Sequence, residues 1–128
     1  MPRTIIRFLL VLAFAGTLAA CRTAPVYNVE NDTFTTTAPS LDAAAKMISS
    51  AGSSLGWQMQ EQGPGHILGR LPIRSHLAVI DINFDMERYS IHYKDSTNLK
   101  YDGTTIHTNY NGWIENLQNA ITARSSVY

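Results

Sequence analysis

The residue types best suited to binding a ligand are concentrated between Tyr89 and Trp113. Aromatic rings alternate there with amide, carboxylate and imidazole side chains. Such rings stack on sugars or apolar groups while the polar side chains orient the ligand. The alternative interpretation is structural, with Tyr89, Tyr93, Tyr110 and Trp113 facing a core and the polar residues forming turns and caps. The candidate ligand-binding residues are His92, Asn98, Tyr101, Asp102, His107, Asn109 and Asn111.

Metal and catalytic motifs are missing from the sequence. The four histidines are dispersed and form no HxH or HxxxH pair, so no ligand spacing points to a metal. The D-x-N-x-D run at 81–85 begins like a calcium loop but lacks the required glycine. Neither a G-x-S-x-G elbow nor a phosphate-binding glycine motif occurs. We therefore expect a protein that is not an enzyme and holds no metal or dissociable cofactor.

The composition narrows the class of protein further. The chain has 128 residues, with ten basic and ten acidic side chains and a single cysteine. This length accommodates one domain. The balanced charge argues against a nucleic-acid partner, because such binders usually carry a basic excess. A lone cysteine excludes an intrachain disulfide framework.

The first twenty residues have the layout of a secretory signal. Arg3 and Arg7 precede an apolar run at 8–15, and small residues precede Cys21. The run is about half as long as the ~20 residues that a membrane-spanning helix needs. The sequence Leu-Ala-Ala-Cys at 18–21 resembles the lipobox of bacterial lipoproteins. That resemblance implies removal of residues 1–20, a diacylglyceryl thioether on Cys21 and an acyl chain on its new amine.

The same resemblance implies a location. Asp after the cysteine retains many such lipoproteins in the inner membrane, whereas this chain has Arg22. We therefore expect attachment to the outer membrane, facing the periplasm. Without Arg3 and Arg7, eight basic residues face ten acidic ones, so charge would not draw the domain onto anionic lipid. Two or three acyl chains would anchor it stably. An envelope protein or peptidoglycan is the expected further partner.

The mature chain divides into two parts. Residues 21–39 hold the lipidated cysteine and a Thr-rich segment bounded by prolines, which suits a flexible tether. In the alternative interpretation, the β-prone run at 26–29 docks on the domain as a short strand. Residues 40–128 form a single domain.

Hydrophobic periodicity predicts the elements of that domain. Ser40 caps a helix over 40–55, and strands follow at 57–61, 66–71, 76–85 and 89–94. A last helix begins at Thr108 or Asn109 and carries an apolar stripe from Tyr110 to Ile121. Short connections between the strands indicate hairpins. We expect an α+β fold of order α-β-β-β-β-α, with both helices on one face of an antiparallel sheet of about four strands.

A second resemblance covers most of the mature chain. The runs 89–101 and 106–117, together with P-V-Y-N-V-E-N at 25–31, are similar to a recurring signature of small uncharacterised bacterial lipoproteins. The resemblance implies a shared fold and anchoring, and no particular activity. Two functions remain open: an anchored, non-catalytic envelope protein of binding or structural type, and a module that binds periplasmic glycan, peptidoglycan or a small ligand through residues 89–113.

Overall fold

The computed structural model describes residues 22–128. The expected signal and Cys21, the expected lipid-attachment residue, lie outside the described residues. Within the described range the chain forms nine elements, in the order β1 (Thr23–Pro25), β2 (Val29–Thr33), α1 (Leu41–Ser54), β3 (Gln58–Gly63), β4 (His66–Ile73), β5 (His76–Phe84), β6 (Arg88–Thr97), β7 (Thr105–His107) and α2 (Thr108–Arg124).

The strands form two antiparallel sheets. A five-stranded sheet has the order β2-β6-β5-β4-β3, and β1 pairs separately with β7. The predicted α+β class with an antiparallel sheet is confirmed, but the predicted four strands are too few. The additional strands are short, and β1, β2 and β7 do not show the alternation of apolar residues by which the four central strands are predicted.

One face of the larger sheet builds the core. Ile67, Ile82, Ile91 and Val29 lie directly opposite one another across four strands, and each is at most 3% exposed. Side chains two residues apart share a face, so the neighbouring inward positions are also apolar. Buried residues of both helices join these side chains in a single hydrophobic cluster.

Both helices form where they are predicted, with differences at one cap and at two stripe residues, Trp113 and Leu55, the latter 40% exposed just after α1. The Ser40 Oγ accepts a hydrogen bond from the Ala43 N–H (3.0 Å) and begins α1 as predicted. The predicted cap of α2 at Thr108 or Asn109 is wrong, because His107 occupies that position. Its Nδ1 accepts a hydrogen bond from the Asn109 N–H (3.1 Å), as an N-cap oxygen would. Trp113 is only partly buried, unlike the rest of its stripe.

Residues 22–38 are packed onto the domain, and the tether interpretation does not describe them. The Val26 N–H donates to the Thr104 oxygen (3.1 Å), and the Phe34 N–H donates to the Glu87 oxygen (2.9 Å). Phe34 is 3% exposed and stacks on the Tyr89 ring at a centroid distance of 5.3 Å. The docked strands are β1 and β2, whereas residues 26–28 of the predicted strand connect them.

Candidate ligand site

Three tyrosines of the candidate segment form a cluster beside the C-terminal half of β6. The Tyr93 ring stacks on Tyr101 at 4.0 Å and meets the edge of Tyr110 at 5.7 Å. Tyr110 is fully buried, whereas Tyr101 is 42% exposed. The Tyr93 hydroxyl also forms a hydrogen bond with the Ser96 Oγ (2.7 Å). The cluster therefore runs from the core to the surface and ends in an exposed ring.

An open cavity of about 530 Å³ lies against this cluster. It combines aromatic faces with two ammonium groups, one carboxylate, an amide and a hydroxyl, and its lining residues are Tyr93, Lys94, Asp95, Ser96, Asn98, Leu99, Lys100 and Tyr101. Of the seven predicted ligand residues, the cavity contains Asn98 and Tyr101. Its chemistry suits a hydroxyl-rich ligand, since rings stack on the ligand while carboxylate, amide and ammonium groups bind its polar atoms.

A bulge explains why the sequence did not reveal the charged part of this lining. Val79 pairs with Asp95, but the next residue, Ile80, pairs with Tyr93. Lys94 is thus an extra residue in β6, and it shifts the alternation of the residues that follow. The sequence signal for this lining is the segment 94–100, which contains side chains of both charges and an amide.

The loop after β6 has a backbone that separates its apolar from its polar residues. Asn98 and Lys100 have φ angles of 59° and 55°, in the left-handed region that non-glycine residues seldom adopt. Leu99 between them is 2% exposed, and its oxygen accepts a hydrogen bond from the His107 N–H (2.8 Å). The two turns place Leu99 in the core and leave Lys100 and Tyr101 at the surface.

Two hydrogen bonds, to His76 and Ser75, hold Asn98 in position. Its backbone oxygen accepts a hydrogen bond from the His76 Nδ1 (2.7 Å), and its side-chain amide donates to the Ser75 Oγ (3.1 Å). Its side-chain oxygen accepts no hydrogen bond from the described residues. This oxygen is therefore available to a ligand.

Asp102 organises the turn that follows the cavity. Its carboxylate accepts hydrogen bonds from the N–H groups of Thr105 (2.7 Å) and Thr104 (2.9 Å), and from the Thr105 hydroxyl (3.0 Å). These donors stabilise the ionised form and hold the pKa of Asp102 below its usual range. The residue is predicted as a ligand contact, but the structure places it outside the cavity lining.

Asn111 joins α2 to the end of β1 and to the segment between β1 and β2. Its side-chain oxygen accepts a hydrogen bond from the Tyr27 N–H (2.9 Å), and its amide donates to the Pro25 oxygen (3.0 Å). His107 caps the same helix, and Asn109 is exposed in its first turn. These three predicted residues lie outside the cavity lining.

Replacing Asn111 with alanine should lower the free energy of unfolding by about 1–3 kcal/mol, because two backbone groups lose their partners. Urea denaturation followed by circular dichroism would measure this loss. Asn109→Ala is the matched control, since that side chain makes no hydrogen bond to the described residues and should change little. Equal stabilities of the two variants would contradict the role assigned to Asn111.

His92 lies on the solvent-facing side of the sheet, opposite Asp81 in the register of β5 and β6. Its Nε2 pairs with the Glu30 carboxylate at 2.7 Å. On the same face, His66 and Lys94 approach Asp81 at 2.7 and 3.5 Å. These pairs cover the outer surface of the sheet with polar groups, and His92 is not brought to the cavity.

The Tyr110 hydroxyl is a buried polar group with no hydrogen-bond partner among the described residues. Burial raises the pKa of Tyr110 above its usual range, and the neighbouring phenols of Tyr93 and Tyr101 raise it further. A buried hydroxyl without a partner costs free energy, about 1–3 kcal/mol.

Tyr110→Phe should therefore stabilise the fold by about 1 kcal/mol or more, because it removes the unpaired hydroxyl and keeps the ring. The melting temperature of this variant would be compared with that of Tyr93→Phe, which loses the hydrogen bond to Ser96 and should be less stable. A destabilised Tyr110→Phe variant would show that the hydroxyl has a partner in solution.

In the described range 22–128, no helix is long and apolar enough to cross a membrane. The same range contains no group of three or more His, Cys, Asp or Glu side chains arranged to hold a metal ion. No family model matches the chain, and comparison with curated proteins and with solved structures gives no significant match.

Proposed function

We propose that this chain is a lipid-anchored protein of the bacterial cell envelope that works by binding or structural support and not by catalysis. The observation that carries the proposal is the Leu-Ala-Ala-Cys sequence at 18–21, which ends in the single cysteine of the chain. The acyl chains on Cys21 supply the membrane attachment. Arg22 after the cysteine favours the outer membrane, with the domain facing the periplasm.

Cys21→Ser tests the anchor. The variant should lose metabolic labelling by radioactive palmitate and should move from the membrane pellet to the soluble periplasmic fraction. Arg22→Asp is the matched variant: it keeps the acceptor cysteine, so it should stay labelled and shift to the inner membrane. If Cys21→Ser still pellets with membranes after a high-salt wash, the anchor proposal is wrong.

A second function has specific support in the cavity beside β6. We propose that this cavity binds a saccharide, from glycan or peptidoglycan or as a small ligand. Tyr101 offers an exposed ring, and Asn98 offers a side-chain oxygen that no described residue uses. Asp95 and Ser96 place further hydrogen-bonding groups in the same lining. Cosedimentation with purified peptidoglycan would test the polymer as the ligand.

A further inference from the structure

The cavity beside β6 lies close to Arg22, the residue that follows the proposed lipid-attachment cysteine. The Arg22 oxygen accepts a hydrogen bond from the Thr108 N–H (3.0 Å), and the adjacent His107 N–H donates to the Leu99 oxygen (2.8 Å). Since these two N–H groups belong to neighbouring residues, Leu99 lies within about 10 Å of Arg22. Arg22 is the residue bonded to Cys21.

No flexible segment separates Arg22, the residue after the proposed attachment cysteine, from the domain. The strand β1 begins at Thr23, which lies opposite His107 in the register with β7. A flexible tether of eighteen residues would have allowed a reach of roughly 25 Å, but residues 22–38 are engaged with the domain instead. An acylated Cys21 would therefore hold the cavity loop at the level of the lipid headgroups.

The charges in the cavity indicate which saccharide would fit. Its lining has two lysines and one aspartate, and what matters for an anionic ligand is which of the lysines has no carboxylate partner. Lys94 lies 3.5 Å from Asp81, whereas Lys100 is exposed and forms no ion pair with the described residues. A free ammonium beside an exposed aromatic ring suits a sugar that carries an anionic group such as phosphate.

We infer that the 93–101 cavity binds the phosphorylated sugar headgroup of a membrane lipid, presented to it by the bilayer in which the protein is anchored. This inference rests on the proposed lipid anchor, because an acylated Cys21 is what would bring the cavity to the headgroup layer. It also makes the saccharide proposal more specific, since it names the kind of sugar that the cavity binds. The Tyr101 face stacks on the sugar ring, Lys100 pairs with the phosphate, and Asn98 and Asp95 bind hydroxyl groups.

The first experiment tests the site with a free probe. The lipidated full-length protein, reconstituted in phosphatidylcholine vesicles, would be titrated calorimetrically with N-acetylglucosamine 1-phosphate. Tyr101→Ala and Lys100→Gln should each weaken binding about tenfold. Tyr128→Ala and Lys46→Gln, an exposed ring and an exposed lysine elsewhere, should bind like the wild type. Absent binding, or equal losses in the control variants, would overturn the site.

The second experiment tests presentation by the membrane. A photoreactive form of lipid A, used as a model phosphorylated sugar lipid, would be incorporated in both leaflets of the same vesicles. Wild-type protein should crosslink at the 93–101 loop. A Gly-Ser linker of about twenty residues inserted after Cys21 adds roughly 25 Å of reach. It should leave the affinity for the free sugar phosphate unchanged and should sharply lower crosslinking to the lipid.

The outcomes separate the two proposals. Suppose that the free probe binds in a manner that depends on Tyr101, but that the linker does not lower crosslinking to the lipid. This result would overturn presentation by the membrane. Crosslinking to a photoreactive phosphatidylglycerol that matches crosslinking to lipid A would show that negative charge alone suffices and would overturn recognition of the sugar. A Cys21→Ser protein that still pellets with membranes refutes the lipid anchor, whatever the affinity for the free probe.

Discussion

Replacing Phe34 with alanine should lower the free energy of unfolding by about 3–5 kcal/mol, the usual cost of truncating a buried aromatic ring. Phe34 is 3% exposed and stacks on Tyr89 with an interplanar angle of 9°. The residues around it are bonded to two separate parts of the domain, because the Ala38 N–H donates to the Met86 oxygen (2.8 Å) and the Thr36 N–H donates to the Ser125 oxygen (3.0 Å). This loss is large because Phe34 is part of the core.

The matched control for Phe34→Ala is Thr37→Ala in the same segment. Thr37 is exposed and its hydroxyl makes no hydrogen bond to the described residues, so its replacement should change stability by less than about 0.5 kcal/mol. Urea denaturation of both variants measures the difference. A loss below about 1 kcal/mol for Phe34→Ala would contradict the packing of this segment and would favour the interpretation of residues 22–39 as a tether.

Gly65→Ala should cost about 2–4 kcal/mol, from backbone strain and a steric clash together. Gly65 lies in the β3–β4 hairpin with a φ of 75°, where an L side chain is disfavoured. An added Cβ would lie 2.7 Å from the Phe84 oxygen. The Gly65 oxygen also accepts a hydrogen bond from the Phe84 N–H (2.9 Å), so the hairpin cannot shift without breaking this contact.

Two other glycines separate the causes of the Gly65 effect. Gly103 has a φ of 101° and open space around it, so Gly103→Ala reports backbone strain alone, about 1–2 kcal/mol. An alanine at Gly63 would meet no neighbouring atom, and its φ is not in the positive range. It should leave stability nearly unchanged. Thermal unfolding of the three variants should give the order Gly65, Gly103, Gly63 from the largest loss to the smallest.

The central part of the fold was predictable because its pattern is local. Ser40 and the stripe that follows it specify α1, and alternation along 76–85 specifies β5, since each signal lies within one element. The strands β1, β2 and β7 depend on partners far away in the chain. Val29 is in a strand because it lies opposite Ile91, a relation that no local window contains.

The candidate site shows the same division. Tyr101 and Asn98 are predicted from residue type, since exposed aromatic and amide side chains are typical of ligand sites, and both line the cavity. Lys94 and Asp95 are not among the predicted residues, because a bulge decides which way they point. Asn111 has the same chemistry as Asn98, but both groups of its side chain are bonded to residues 25 and 27. Residue type alone does not distinguish the two asparagines.

The pairing of the first strands with the last third of the chain has a kinetic consequence. The hydrogen bond between Tyr27 and Asn111 spans 84 positions, and β1 pairs with residues 105–107. Contacts of such long sequence separation require a large loop to close, and they form slowly. If the chain is exported and acylated as we propose, the segment next to Cys21 should stay unpaired until nearly the whole chain has crossed the membrane. The proposed attachment residue would then remain accessible to the acylating enzymes until late in folding.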